Sequence, residues 1–298
     1  MAASLLSSPA RGSAALGVSL YLAGIFLFAL NDALGKWLVK DYAVGQLMML
    51  RSIGAAVVLA PMILRHRSEI LDFRQGGLMA LRIVITTIDT FSFYWATRYM
   101  PLADVMTFYM AAPLISTVLS ALLLGERVEP FRWGAIAIGF VGVVIALRPT
   151  SDVISFASLI ALMGATMFAL GQTITRRMRQ THWLPIVFWQ FVGGGMIGAA
   201  TIPFAWTTPG AFDIGLMFLV GIVSMFCFIC IARALAMTRV AVLAPLQYSA
   251  ILWASVMGFL VWGDKPGPAI LLGDAIIIGS GLFIAAFETR ARRAAPAG

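Results

Sequence analysis

The chain has 298 residues, of which 61% are hydrophobic and 11% charged, with a net charge of +8 and a mean hydropathy of +0.94. A soluble domain is excluded, because no single core of this size could hide so much apolar surface. The positive charge calls for no nucleic-acid partner, since basic residues flank apolar stretches and no basic run carries interleaved aromatics.

Stretches long enough to cross a hydrocarbon layer of about 30 Å fall at 16–38, 45–64, 76–97, 102–124, 132–149, 154–176, 184–206, 212–235, 241–262 and 268–287. The expected fold is an all-α integral membrane protein with ten transmembrane helices. Residues 1–15 read as a Ser/Ala-rich cytoplasmic tail before a first span too long for a signal-peptide core, and 289–298 as a second tail. With the N-terminus inside, fourteen basic residues, among them Arg65, Arg127, Arg176, Arg177 and Arg290, lie at the cytoplasmic face. Only Lys36, Lys40, Arg98, Arg148 and Lys265 lie outside. Positive residues are retained inside, so a multi-pass protein of the bacterial inner membrane with both termini cytoplasmic is expected.

The last third of the chain repeats the middle third. Residues 95–126 align with 233–264 at an offset of 138, pairing Ala96 with Ala234, Ala103 with Ala241 and Gly125 with Gly263; Gly134 then pairs with Gly273 and Gly142 with Gly281. The first spans of each half match weakly, Lys36 with Arg176 and Gly54 with Gly194. The repeats are thus 16–149 and 154–288, joined near Thr150, with five spans each. An odd number of spans separates the copies, so they are inverted, the plan of many secondary transporters. Gly194, Gly195 and Gly198 add the small-residue spacing that lets membrane helices approach closely.

Several of these marks carry a resemblance. The run from Ala103 through Leu124 into Gly125-Glu126-Arg127, then Trp133-Gly134 and Gly139-Phe-Val-Gly142, resembles the EamA repeat of the drug/metabolite transporter superfamily. Gly263-Asp264-Lys265, Gly273 and Gly279-Ser-Gly281 form its second copy, with Asp264 in place of the usual glutamate. Within that superfamily the chain resembles the YddG-type amino-acid exporters. The resemblance implies a ten-helix carrier that exports amino acids or related metabolites.

Charges inside a span cost roughly 2.5–3.5 kcal/mol at the helix centre, so each needs a partner or a watery cavity. Arg82, Thr86, Asp89, Phe93 and Thr97 share one helical face of the third span. Such a stripe either lines a cavity or locks helices together. Asp32 and Arg51 lie about 9 Å inside the outer face at about 1.5 Å per residue, with Asp89 slightly deeper, and Arg51 is expected to neutralise one of these carboxylates. Pro113 and Pro245 kink the fourth and ninth spans. Near them Tyr109, its repeat partner Gln247, and Tyr248 offer polar tips. Asn31 and Gln172 are amides in equivalent first helices, and Phe93, Tyr94, Phe168, Phe226 and Trp253 are candidates for an aromatic wall.

No cofactor or metal is expected. The chain has no phosphate-binding G-x-x-x-x-G-K-[ST] loop, and Cys227 and Cys230 read as helix packing, with His66 and His182 assigned to loops. An enzyme would need an assembled site such as paired aspartates or a Ser/His pair, and none is legible. The expected partners are the lipid bilayer and a small-molecule substrate, with a single chain sufficient. Two intramembrane arginines are few for phosphorylated substrates. A bulky apolar or aromatic amino acid suits the residues better, with nucleobases, drugs and S-adenosyl compounds as alternatives.

Overall fold

The structure, a computed structural model, describes residues 11–65, 70, 75–125, 130–147, 156–178, 181, 183–238 and 243–294. His66, His182, Glu126, Arg127 and the joint near Thr150 lie outside them. Lipid offers the backbone no hydrogen-bond partner, so each apolar stretch satisfies its own N–H and C=O groups as a helix. In chain order the helices are α1 (Arg11–Val39), α2 (Val44–Arg65), α3 (Gly76–Tyr99), α4 (Leu102–Tyr109), α5 (Ala112–Leu124), α6 (Pro130–Leu147), α7 (Phe156–Arg177), α8 (Trp183–Thr201), α9 (Ala211–Met237), α10 (Ser249–Trp262) and α11 (Pro268–Ala294).

Ten spans result, because α4 and α5 make the fourth and a 3-10 turn over Ala244–Tyr248 leads into α10 as the ninth. The expected kinks are sharper than bends. Pro113 has no N–H to give the Tyr109 carbonyl, so the fourth span breaks at Met110–Ala111 and restarts with Pro113 in the first turn of α5. Pro245 sits in the 3-10 turn in the same way.

The two halves match in detail. α5 and α10 both end on a left-handed glycine, Gly125 at φ 65° and Gly263 at φ 70°. α3 ends with the Met100 N–H on the Ala96 carbonyl, and α9 ends with the Thr238 N–H on the Ala234 carbonyl. Packing follows the same symmetry: α1 lies along α9 as α7 lies along α3, while α2 meets α8 and α6 meets α11. The repeats are therefore interlocked, each first helix packing against the third helix of the other half.

Close approach is what brings α2 into the centre. A Cβ on Gly221 of α9 would strike the Arg51 carbonyl, and one on Gly54 would strike the backbone of Phe218. From the other side Gly195 of α8 receives Ser52, and Gly198 lies on the Gly45 carbonyl. Cys227 is buried in α9, and both cysteines pack beside Gly24 of α1. At one end of the bundle Tyr42 donates to Asp213 at 2.7 Å, which holds the phenol proton on above its ordinary range.

Gly221→Ala should cost about 1–3 kcal/mol through overpacking, read as a fall of several degrees in the unfolding temperature in detergent. Gly134→Ala, where an added Cβ meets nothing within 4 Å, should leave it unchanged.

Candidate functional site

The stripe on α3 is buried along its length, as its spacing requires, but its parts do different things. At Arg82, 8% exposed, all three guanidinium nitrogens are engaged. Nε donates to Thr175 Oγ1 at 2.7 Å, both terminal nitrogens donate to Gln190 Oε1 at 3.1 Å, and one also reaches the Ile186 carbonyl at 3.5 Å. This end of the stripe is a seam that locks α3 to α7 and α8. Thr97, at the other end, donates to the Tyr94 carbonyl at 3.0 Å and is likewise structural.

The middle gathers charge. Tyr94, 1% exposed, accepts hydrogen bonds on its hydroxyl from Arg51 at 3.2 Å and from the Asn31 amide at 3.4 Å. The same amide nitrogen reaches Asp32 Oδ1 at 3.3 Å, and Asn31 Oδ1 accepts from Ser224 of α9 at 2.7 Å. Tyr109 of α4 donates to Asp89 Oδ1 at 2.8 Å. Arg51, expected to neutralise Asp32 or Asp89, makes no direct bond to either among the described residues. Its guanidinium bonds the Tyr94 hydroxyl and lies 5.7 Å from the Tyr94 ring centroid and 5.5 Å from that of Phe191. Asp32 and Asp89 lie within Coulombic reach of it rather than in contact. Gly35 of α1 leaves room for the Tyr94 ring against that helix.

Aromatic rings continue the group along one side. Phe93 stands edge-on to Tyr94 at 5.4 Å and to Tyr109 at 5.2 Å, and Tyr109 meets Phe168 at 5.9 Å. Gly164 of α7 admits the Tyr109 hydroxyl. Thr86 donates to the Arg82 carbonyl at 2.8 Å and borders a small cavity together with Arg51, Gln190 and Phe191.

The second repeat contributes less than expected. Gln247, Tyr248 and Trp253 are half-buried. Tyr248 lies with its hydroxyl on Gly281, and Trp253 stands edge-on to Phe26 at 5.0 Å. Both pack on the apolar core that holds Tyr94 and Tyr109. Two candidates are not brought to the site. Phe226 is 49% exposed, because Met225 and Cys227 take the inward positions on α9. Gln172 is exposed because Gly171 and Thr173 turn the inner face of α7 toward α3 and α5.

Sequence reasoning missed Ser224, Thr175 and Gln190. An amide inside a span flagged Asn31 and would have flagged Gln190 equally, but a serine that bonds its own helix, as Ser224 does to the Val220 carbonyl at 2.8 Å, gives no signal. Also missed was the ion pair from Lys36 to Asp264 at 3.1 Å, with Lys36 Nζ 4.6 Å above the Trp262 ring. It ties the end of α1 to the end of α10, one repeat to the other.

Ten spans in two inverted halves, with polar side chains buried where the halves interlock, define a membrane transporter of the inverted-repeat class. The EamA-like transporter family matches residues 15–148 and 155–286; the chain belongs to that family, within the drug/metabolite transporter superfamily. It is similar to the S-adenosylmethionine uptake transporter of Rickettsia prowazekii, 21% identical over 90% of this chain and 92% of that one. It is similar also to the riboflavin transporter of Vibrio cholerae, 28% identical over 74% and 75%, and to the pseudopaline exporter CntI of Pseudomonas aeruginosa, 25% over 88% and 93%. A solved crystal structure shares the fold, with a TM-score of 0.64 at 19% identity over 96% of this chain and 100% of that one.

Removing Gln190 should cost more than removing Arg82. Gln190→Leu leaves a terminal nitrogen of a buried charge without its acceptor while Thr175 and Ile186 keep the others, about 3 kcal/mol, whereas Arg82→Leu strands only neutral acceptors, about 1–2 kcal/mol. Thermal unfolding of the two purified variants checks the order, and the reverse order would contradict the seam.

Proposed function

We propose that this protein is a secondary carrier of metabolites with an amino-acid headgroup, working by alternating access in a bacterial inner membrane with both termini cytoplasmic. The carrying observation is the group of Asn31, Asp32, Asp89, Tyr94 and Tyr109, all buried, with the partly buried Arg51, in which both signs of charge stand a few side chains apart inside a bundle of apolar spans. A zwitterion needs opposite charges held apart by hydrogen-bonding groups, beside an apolar wall for its side chain. Phe93 and Phe168 furnish that wall.

Bulky apolar or aromatic amino acids are one substrate class. S-adenosyl compounds are the other, favoured by the similarity to S-adenosylmethionine transporters, since they join the same headgroup to a large aromatic body. This chain has no ATP-binding loop, so flux follows gradients, outward when the substrate accumulates inside. Each half supplies one side of the pathway, and a monomer suffices.

The test is counterflow into proteoliposomes preloaded with unlabelled substrate, using labelled tryptophan, phenylalanine, methionine, lysine, glutamate and S-adenosylmethionine. Saturable uptake of at least one member is expected, falling at least tenfold in Asp89→Asn and Tyr109→Ala proteins that remain folded. A folded protein that exchanges none of the six would remove the amino-acid headgroup from the assignment.

A further inference from the structure

Of the two arginines inside the bundle, one is spent and one is held in reserve. Arg82 uses every nitrogen on Thr175, Gln190 and Ile186. Arg51 makes a single hydrogen bond among the described residues, to the Tyr94 hydroxyl at 3.2 Å, although a guanidinium has five N–H donors. Its place between the rings of Tyr94 and Phe191 fixes its plane without using those donors. A cation kept this way within apolar spans is costly, and the cost is recovered when an acceptor arrives.

Beside Arg51 the bundle keeps a cavity of about 10 Å³, bordered by Ser52, Thr86, Thr87, Thr90 and Gln190. That is space for about one oxygen atom. Met48, Phe191 and Gly194 complete its walls, so polar and apolar groups share the lining where α2, α3 and α8 meet. Ser52, Thr86 and Thr90 donate to carbonyls four residues back, at 2.8 Å each. Each hydroxyl proton is thus held by the residue's own helix and reaches an incoming acceptor only by leaving that carbonyl, while the oxygen's lone pairs face the cavity.

The ligand chemistry follows from charge. A phosphate dianion calls for several cations, whereas here one uncommitted guanidinium stands within Coulombic reach of two carboxylates, Asp32 and Asp89. A singly charged acceptor fits, and a carboxylate can place one of its two oxygens in this space against the guanidinium. Asp89 follows Thr86 by three residues on the same face of α3, within about one helical turn of 5.4 Å. A compact zwitterion can span that distance. We infer that Arg51 and its cavity are the carboxylate subsite of this carrier, with the ammonium end of the substrate directed toward Asp89. The inference rests on the carrier reading and adds to it the residues that distinguish an acid from its neutral analogue.

Gly194 offers a test that leaves Arg51 intact. A methyl there would approach only the Met48 terminal methyl at 3.4 Å and the Thr87 hydroxyl at 3.8 Å, so Gly194→Ala fills the cavity without strain. Full-length protein in lipid nanodiscs would be titrated calorimetrically with L-tryptophan, L-methionine and S-adenosylmethionine. Each would be compared with its carboxyl-free partner: tryptophanamide, methioninamide and decarboxylated S-adenosylmethionine. The acid that binds should do so at least tenfold more tightly than its partner. Arg51→Gln should erase that preference, and Gly194→Ala should reduce it at least fivefold with an unchanged unfolding temperature. Should Arg51→Gln fail to fold, Gly194→Ala decides alone. Equal binding of acid and analogue, or a preference that survives both substitutions, overturns the subsite and leaves the carrier standing. Binding of none of the three acids by the folded wild-type protein overturns the amino-acid reading itself, and the subsite with it.

Discussion

The Tyr94 hydroxyl is the point on which the polar interior depends. Two helices present charge to α3, Asp32 from α1 and Arg51 from α2, and the surrounding hydrocarbon solvates neither. By accepting from both Arg51 and Asn31, one phenol oxygen sets the register of three helices at once. Ser224 extends the network to α9 through Asn31. The arrangement needs absences as much as groups, because a side chain at Gly35 would occupy the space of the Tyr94 ring and one at Gly221 would push α9 off the Arg51 carbonyl. Polar satisfaction and close packing are one constraint here, since a hydrogen bond of about 3 Å forms only where the helices approach.

The halves share a scaffold and divide the chemistry. Equivalent spans are both interrupted, at prolines six repeat positions apart, and end on equivalent left-handed glycines, yet Tyr109 in one half corresponds to Gln247 in the other, and Asp32 and Asp89, the fully buried aspartates among the described residues, belong to the first half. A symmetric frame with an asymmetric lining suits a carrier. The frame provides two related packings of the same helices, while the lining sets which molecule is held between them.

Relatives at 21–28% identity carry names as different as S-adenosylmethionine uptake transporter, riboflavin transporter and pseudopaline exporter. Divergence of that size on a shared frame means the family conveys architecture and mode of action, and the cargo is written in the lining. The contrast between Arg82 and Arg51 shows how that lining is read. Both are arginines in spans, but one has its donors spent on Gln190 and Thr175 while the other keeps them.

Sequence by itself determined the ten spans, their grouping into inverted halves and the residues too costly to leave in lipid. Those follow from local quantities: the length of an apolar run, an odd count of spans between repeats, and the charge on a side chain. The helical spacing of Arg82, Thr86, Asp89, Phe93 and Thr97 likewise put them on one face without reference to any neighbour. Only the tertiary structure decided what that face meets. Arg82 and Asp89 sit two turns apart on the same helix, yet Gln190 of α8 takes one and Tyr109 of α4 the other. Phe226 and Gln172 have the same composition-level claim on the site as Phe93 and Asn31, and are turned outward because their neighbours Cys227 and Gly171 take the inward contacts. The partner of a buried group is set by the rotation and separation of helices far apart in sequence. Those depend on glycines and rings meeting across interfaces, which no single stretch of the chain encodes.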